Sequence, residues 1–210
     1  TGSASDTAGF SIVSYTGTGS AGTIKHGLST VPKMIIFKNR DTTDEWITYH
    51  VSTSATKFLR LNGTQATTDS STYQFNGTVP TSSVFSAGEG NSQSSEKYIA
   101  YCFSEVKGYS KFGSYTGNGN AGTSSPFVYL GFKPAFLINT ADTHGWSMTD
   151  NKRNGYNENS VFLYANENDA DAAYPMTSFY SNGFQPIEVG ADKGAVNQTG
   201  NKYIYMAFAE

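Results

Sequence analysis

Ser14-Tyr15-Thr16-Gly17-Thr18-Gly19-Ser20-Ala21-Gly22-Thr23 returns one hundred positions later as Ser114-Tyr115-Thr116-Gly117-Asn118-Gly119-Asn120-Ala121-Gly122-Thr123. Outward from each copy, the chain runs through a proline and an apolar stretch to a tryptophan, Pro32 to Trp46 and Pro134 to Trp146. The two copies also close alike, with Lys97-Tyr98-Ile99-Ala100-Tyr101-Cys102-Phe103-Ser104-Glu105 matching Lys202-Tyr203-Ile204-Tyr205-Met206-Ala207-Phe208-Ala209-Glu210. A period near one hundred residues is too long for a solenoid unit and is about the size of one small domain. Tandem duplication of a lobe is expected, with domains at 1–105 and 106–210.

Composition sets the class. Of 210 residues, 37% are hydrophobic, 15% charged and 22 are glycine, and 14 Tyr and 14 Phe outnumber the few leucines. Aromatic and β-branched residues between Gly, Ser and Asn clusters favour pleated strands and tight turns over helices. Alternation marks strands at Phe10–Tyr15, Met34–Lys38, Trp46–Tyr49, Lys57–Leu61, Tyr98–Phe103, Tyr109–Tyr115, Phe127–Leu130, Ala135–Asn139, Val161–Tyr164 and Tyr203–Phe208. Glu167–Ala173, closed by Pro175, promises one helical turn at most. The expected fold is all-β: two tandem pseudo-symmetric antiparallel β-sandwich lobes of jelly-roll-like type.

Several chemistries are argued against by the residues. A net charge of −3 with 14 scattered basic residues does not suit a phosphate backbone, so no nucleic-acid partner is expected. No apolar run reaches the roughly 20 residues of a membrane helix. Thr1-Gly2-Ser3-Ala4-Ser5-Asp6 does not read as a signal peptide, and without an initiating Met it suggests a processed form or a fragment. Gly17-Thr18-Gly19-Ser20-Ala21-Gly22 and its repeat match the spacing of a dinucleotide fingerprint. The residues that follow, Thr23-Ile24-Lys25-His26-Gly27 and Thr123-Ser124-Ser125-Pro126, do not open the helix that such a site requires. These glycines read as a repeated turn.

Neither a Gly-x-Ser-x-Gly elbow nor a zinc spacing is present, His26, His50 and His144 fall at non-equivalent places, and Cys102 sits within an apolar strand as a small buried hydrophobe. The carboxylates Asp41, Asp44 and Glu45 have no counterpart in the second copy, which carries Asp142-Thr143-His144-Gly145, so they read as loop polarity rather than a hydrolytic pair. No cofactor and no enzymatic activity are expected. Asn166-Glu167-Asn168-Asp169-Ala170-Asp171 is the densest oxygen cluster; Asp169 and Asp171 are its Ca²⁺ candidates, though a solvated acidic loop accounts for them. The sequons at Asn62, Asn76 and Asn197 read as turn chemistry. Aromatic and amide side chains remain. Trp46 with Tyr49, and Trp146 with Asp150 and Arg153, are the candidate ligand-binding residues, because a flat ring meets the C–H face of a sugar while amides and carboxylates take its hydroxyls. Because both copies retain it, each Trp reads first as the core anchor of its lobe, with binding expected through the variable loops at one end of the lobes.

The segment Tyr98-Ile99-Ala100-Tyr101-Cys102-Phe103-Ser104-Glu105-Val106-Lys107-Gly108-Tyr109-Ser110-Lys111-Phe112-Gly113-Ser114-Tyr115-Thr116-Gly117-Asn118-Gly119, the closing Tyr203–Glu210 and Ser181-Asn182-Gly183-Phe184 resemble a repeat module of tailed-bacteriophage virion proteins. That module commonly lies at the C-terminal end of tail-fibre or tail-spike-like chains, often beside legume-lectin-like domains. Its Trp-x-x-Tyr/Phe-Asp-x-x-Arg segment is matched by Trp146 to Arg153 with Thr149 in the aromatic place; the first copy, Trp46 to Thr53, lacks both Asp and Arg. The resemblance implies an extracellular, virion-surface protein whose partners are bacterial surface polysaccharide and copies of itself or other virion proteins. Host attachment through glycan is the expected function. A purely structural fibre, baseplate or head-decoration subunit is the alternative.

Overall fold

A computed structural model describes residues 1–141, 144–153, 159–170, 172–187 and 196–210. The protein is all-β, every strand pairing is antiparallel, and the helical content among the described residues is two three-residue 3₁₀ turns, Glu89–Asn91 and Gly122–Ser124. The chain divides into two compact units: Thr1–Leu61 with Thr67–Val106, and Lys107–Glu210 with Asn62–Ala66.

The first unit contains β1 (Gly2–Ser5), β2 (Phe10–Thr16), β3 (Gly22–Lys25), β4 (Pro32–Asn39), β5 (Ile47–His50), β6 (Lys57–Arg60), β7 (Thr68–Asp69), β8 (Val84–Ala87) and β9 (Lys97–Ser104). Seven of them form one sheet in the order β1-β2-β9-β4-β5-β6-β7, and β3 pairs with β8 as a separate two-stranded ribbon. Alternation buries one face of the wide sheet. Val13, Ile35, Phe37, Ile47, Tyr49, Phe58, Ala100 and Cys102 project into a core completed by Phe85 of the ribbon and by Leu28 and Phe75 from loops. Two layers result, a wide sheet and a ribbon, each of which supplies the apolar cover that the other lacks.

The second unit contains β10 (Ser110–Thr116), β11 (Val128–Tyr129), β12 (Pro134–Ala141), β13 (Ser147–Asp150), β14 (Asn159–Tyr164), β15 (Ala172–Tyr180), β16 (Gly183–Pro186) and β17 (Lys202–Ala209). Its single sheet runs β10-β17-β12-β13-β14-β15-β16-β11. The sheet folds over itself: Tyr115, Leu137, Tyr203, Tyr205 and Ala207 from one end share a core with Val128, Phe179 and Phe184 from the other. Its first and last strands meet where Lys111 Nζ donates to the Tyr129 carbonyl at 2.9 Å and lies over the Tyr129 ring. The division is thus seven strands and two in the first unit, and eight in one folded sheet in the second.

The duplication is visible strand by strand. The run β2-β9-β4-β5-β6 recurs as β10-β17-β12-β13-β14, and the ribbon β3-β8 as β11-β16. Registers agree as well: Tyr15 faces Tyr98 and Tyr115 faces Tyr203, and both copies carry an irregularity just after the proline, at Pro32/Met34 and Pro134/Phe136. Strand β15 occupies a stretch for which the sequence reading named no strand, only at most one helical turn over Glu167–Ala173 before Pro175. The β14–β15 register shifts between the Val161–Ala173 and Asn159–Thr177 pairs, so the strand passes the proline by interrupting its ladder. Glu167 to Ala170 form no helical turn, and Asp171 lies outside the described residues.

Candidate functional site

The repeated glycine segment makes a corner that holds the chain entering the closing strand. Gly17 N–H donates to the Glu96 carbonyl and Gly19 N–H to that of Ser92, at 2.8 and 2.7 Å; Gly117 and Gly119 repeat this with Asn201 and Asn197, both at 2.9 Å. A Cβ on Gly17 would fall 2.0 Å from the Gln93 carbonyl oxygen and one on Gly117 2.2 Å from that of Gln198, while Gly19 and Gly119 hold φ of +79° and +71°. Close main-chain approach and left-handed backbone explain the motif. The 3₁₀ turn at Gly122–Ser124 is the helical element that follows it in the second copy.

Behind each corner stands a stacked tyrosine pair, Tyr15–Tyr98 at 5.3 Å and Tyr115–Tyr203 at 5.0 Å. Tyr15 Oη donates to the Asn91 carbonyl at 2.8 Å and Tyr115 Oη to that of Val196 at 2.7 Å. Tyr98 Oη and Tyr203 Oη accept the Gln93 and Gln198 N–H groups at 3.2 and 3.1 Å. Burial pushes the Tyr98 hydroxyl up to about 12, with Glu96 adding to the shift. These hydroxyls serve as neutral hydrogen-bonding groups.

Beside the first corner the surface opens into a polar cleft of about 400 Å³, lined by Asn39, Thr43, Asp44, Glu45, Ile47, Tyr73, Gln74, Gly90, Asn91 and Tyr98. Asn39, at the end of β4, sits at its floor: Nδ2 faces Asp44 Oδ2 at 3.0 Å, Glu96 Oε2, and Tyr98 Oη at 3.4 Å. Asp44 Oδ2 also accepts from the Thr42 hydroxyl at 2.6 Å, and Asp41 Oδ2 from Lys97 N–H at 2.8 Å, which fastens the β4–β5 loop. Glu45 pairs with Arg60. The opposite wall is the segment carrying Tyr73 and Gln74. Gly90 N–H donates to the Tyr73 carbonyl, and Gly88 N–H and Asn91 Nδ2 to that of Gln74. Tyr73 is 52% exposed, which leaves its ring open to the cleft. Gln74 is 93% buried, yet its Oε1 has no hydrogen-bond donor.

Among the described residues of the second unit, the lining at the matching place differs. There Ala141 stands for Asn39, Gly145 for Glu45 and Val196 for Asn91; the residues around Tyr203, with the His144 ring 6.2 Å from it, close on a space too small for a ligand.

The residues nominated from sequence fall elsewhere. Trp46 is partly exposed and its ring stacks at 6.4 Å on Tyr101, whereas the next residue, Ile47, points into the core. Tyr49 lies three residues on and is buried in the core against Phe75, so Trp46 and Tyr49 occupy opposite faces and form no joint platform. Trp146 is 2% exposed and cannot present its ring to a ligand. Asp150 and Arg153 form a turn. Asp150 Oδ1 accepts the Lys152 and Arg153 N–H groups at 2.9 and 3.0 Å, and Oδ2 accepts from Arg153 Nε at 2.8 Å. Partial burial alone would raise the Asp150 pKa, but these hydrogen bonds and the guanidinium outweigh it and hold the carboxyl below its usual value. In the first unit His50 fills the equivalent place, and its Nδ1 accepts Ser52 N–H at 3.1 Å, so the missing Asp is replaced by another acceptor for the same turn. Asp169 is exposed, and no cluster of three metal-ligating side chains occurs among the described residues. Cys102 is fully buried and its thiol is pushed up to about 12 by that burial. Asn197 is buried too, donating to Asn118 Oδ1 and the Asn120 carbonyl, which makes its sequon part of the second corner.

Duplicated β lobes, with a polar cleft beside the tyrosine-braced glycine corner of the first, define a class of tandem all-β proteins. The chain belongs to a family described as a domain of unknown function (DUF7483), whose model matches residues 1–210 and so embraces both repeats. No curated protein and no solved structure matches the chain.

Proposed function

We propose that this protein is a virion-surface attachment module that holds a bacterial surface glycan, without turning it over, in the cleft of its first unit. The observation that carries this reading is the conjunction of an open aromatic ring, Tyr73, with the polar groups of Asp44, Asn91 and Gln74 around one 400 Å³ recess. That volume suits one or two sugar residues, and the mixture of a flat apolar face with fixed acceptors and donors is what pyranose recognition uses. Attachment rather than hydrolysis is supported by the carboxylates. Asp41, Asp44 and Glu45 each hold a main-chain, side-chain or guanidinium partner that shapes the cleft wall. The virion setting rests on the resemblance of residues 98–119 and 203–210 to the phage module. On a particle, copies of the chain would convert a weak single site into firm adhesion.

A glycan array followed by titration with purified host polysaccharide tests the proposal. Binding that is lost in Tyr73→Ala, with unchanged melting of the variant, is the expected result; uniform absence of binding across host surface sugars overturns it. The structural-subunit reading draws on Phe127 and Tyr129, 47% and 61% exposed on and beside β11. Concentration-dependent self-association abolished by Tyr129→Ser, together with a blank array, would favour that role.

A further inference from the structure

The cleft of the first unit also carries information on which sugars it can take. Resting on the attachment reading above, we infer that its ligand is an uncharged, hydroxyl-donating sugar residue and that the site discriminates against sugars bearing carboxylate, sulfate or phosphate groups.

Three observations carry this. The first is charge. Asp44 and Glu45 line the recess with no lysine or arginine among the described lining residues, Glu96 reaches Asn39 and Tyr98 at its floor, and exposed Glu89 opens the 3₁₀ turn of the opposite wall. Two of the neighbouring cations are fixed by their own partners. Arg60 is paired with Glu45, and Lys38 donates to the main-chain carbonyls of Thr42 and Asp44 at 3.0 and 2.8 Å. The lining itself is thus anionic, and a negatively charged ligand entering it would be desolvated beside like charge.

The second is hydrogen-bond polarity. Gln74 Oε1 is a buried acceptor without a donor, although the rest of the residue is fixed by its carbonyl bonds to Gly88 and Asn91. The atom itself has almost no open surface, so a ligand hydroxyl reaches it as the Gln74 side chain turns towards the cleft that it lines, and by donating recovers the free energy of the empty buried acceptor. The third is space. A Cβ on Gly90 would lie 2.6 Å from the Tyr73 ring and 2.9 Å from Gln74 Oε1, so glycine there lets ring and amide stand side by side against the 3₁₀ turn. A ring face flanked by acceptors matches a neutral pyranose, whose C–H surface stacks while its hydroxyls donate.

The test compares neutral gluco- and galacto-oligosaccharides with oligogalacturonates of matched length by isothermal titration against the full chain. Neutral probes are expected to bind at least tenfold more tightly, and Asp44→Asn is expected to narrow that ratio at low ionic strength. Gln74→Leu is expected to abolish neutral-sugar binding while the protein still melts cooperatively. Equal or tighter binding of oligogalacturonates that is sensitive to Tyr73→Ala overturns the selectivity but leaves the attachment reading standing. Neutral binding unaffected by Gln74→Leu overturns the assignment of that acceptor, and binding to neither class overturns both readings together.

Discussion

Gln74 shows how a single side chain can set function against stability. Its Oε1 is buried and unpaired, a condition that costs about 1–3 kcal/mol and that a folded chain retains most readily where a ligand relieves it. Gln74→Leu is therefore expected to raise stability by about 1 kcal/mol in urea denaturation while binding disappears. His26 is the second informative residue. It is 1% exposed, its Nε2 lies 3.1 Å from the Thr81 carbonyl, and its Nδ1 accepts Leu28 N–H at 3.2 Å, which assigns the proton to Nε2 of a neutral ring. Burial lowers its pKa below the ordinary 6.5, against smaller raising effects from the Thr81 carbonyl and Asp6. The unfolded chain thus takes up a proton before the folded one does, so this residue costs stability as pH falls from about 6.5 towards the depressed folded value. Thermal melting between pH 7.5 and 5 should show that decline, and His26→Gln should flatten it.

At the scale of the element, the glycine corner, the stacked tyrosines and the closing strand act as one device used twice. Gly17→Ala and Gly117→Ala each drive a methyl into a carbonyl oxygen, at 2.0 and 2.2 Å, and are expected to destabilise by on the order of 3 kcal/mol in chemical denaturation. Gly22→Ala, where nothing lies within 4 Å, is the matched control and should leave stability within about 0.5 kcal/mol. Much of this device was legible in the sequence, because a motif repeated at a fixed interval with its strand partners repeated as well leaves few other arrangements. The ribbon was not. Strand β3 offers one partly buried apolar side chain, Ile24, and exists by pairing with β8, some sixty residues away; alternation over four residues says nothing of such a partner.

Over the whole molecule, duplication supplied two scaffolds whose described residues diverge at the place where the first unit has its cleft. Asn39, Glu45 and Asn91 in the first unit correspond by the repeat to Ala141, Gly145 and Val196 in the second, which exchanges polar groups for small or apolar ones. A saturable sugar is accordingly expected to bind with a stoichiometry of one per chain, read directly from calorimetric titration; two equivalent sites would contradict the cleft assignment. The tryptophans follow the opposite logic. Retention in both copies marks what both copies need, and Trp146 is buried while Trp46 lies against Tyr101, whereas Asn39, Glu45 and Asn91 of the cleft are not shared by the copies.

The amino-acid sequence by itself determined the all-β class, the repeat and its period, the strands of the central sheets and the turn role of the glycines. All of these are written in local alternation and in self-similarity along the chain. Only the tertiary structure decided that the layers are a wide sheet and a ribbon, that Tyr49 and Trp146 face inward, and that Asp44, Tyr73, Gln74 and Asn91 share one recess. Those residues come from three separate loops, and a strand pairing or a cleft wall between distant segments depends on which surfaces remain uncovered once the core has closed, a property that no local window contains.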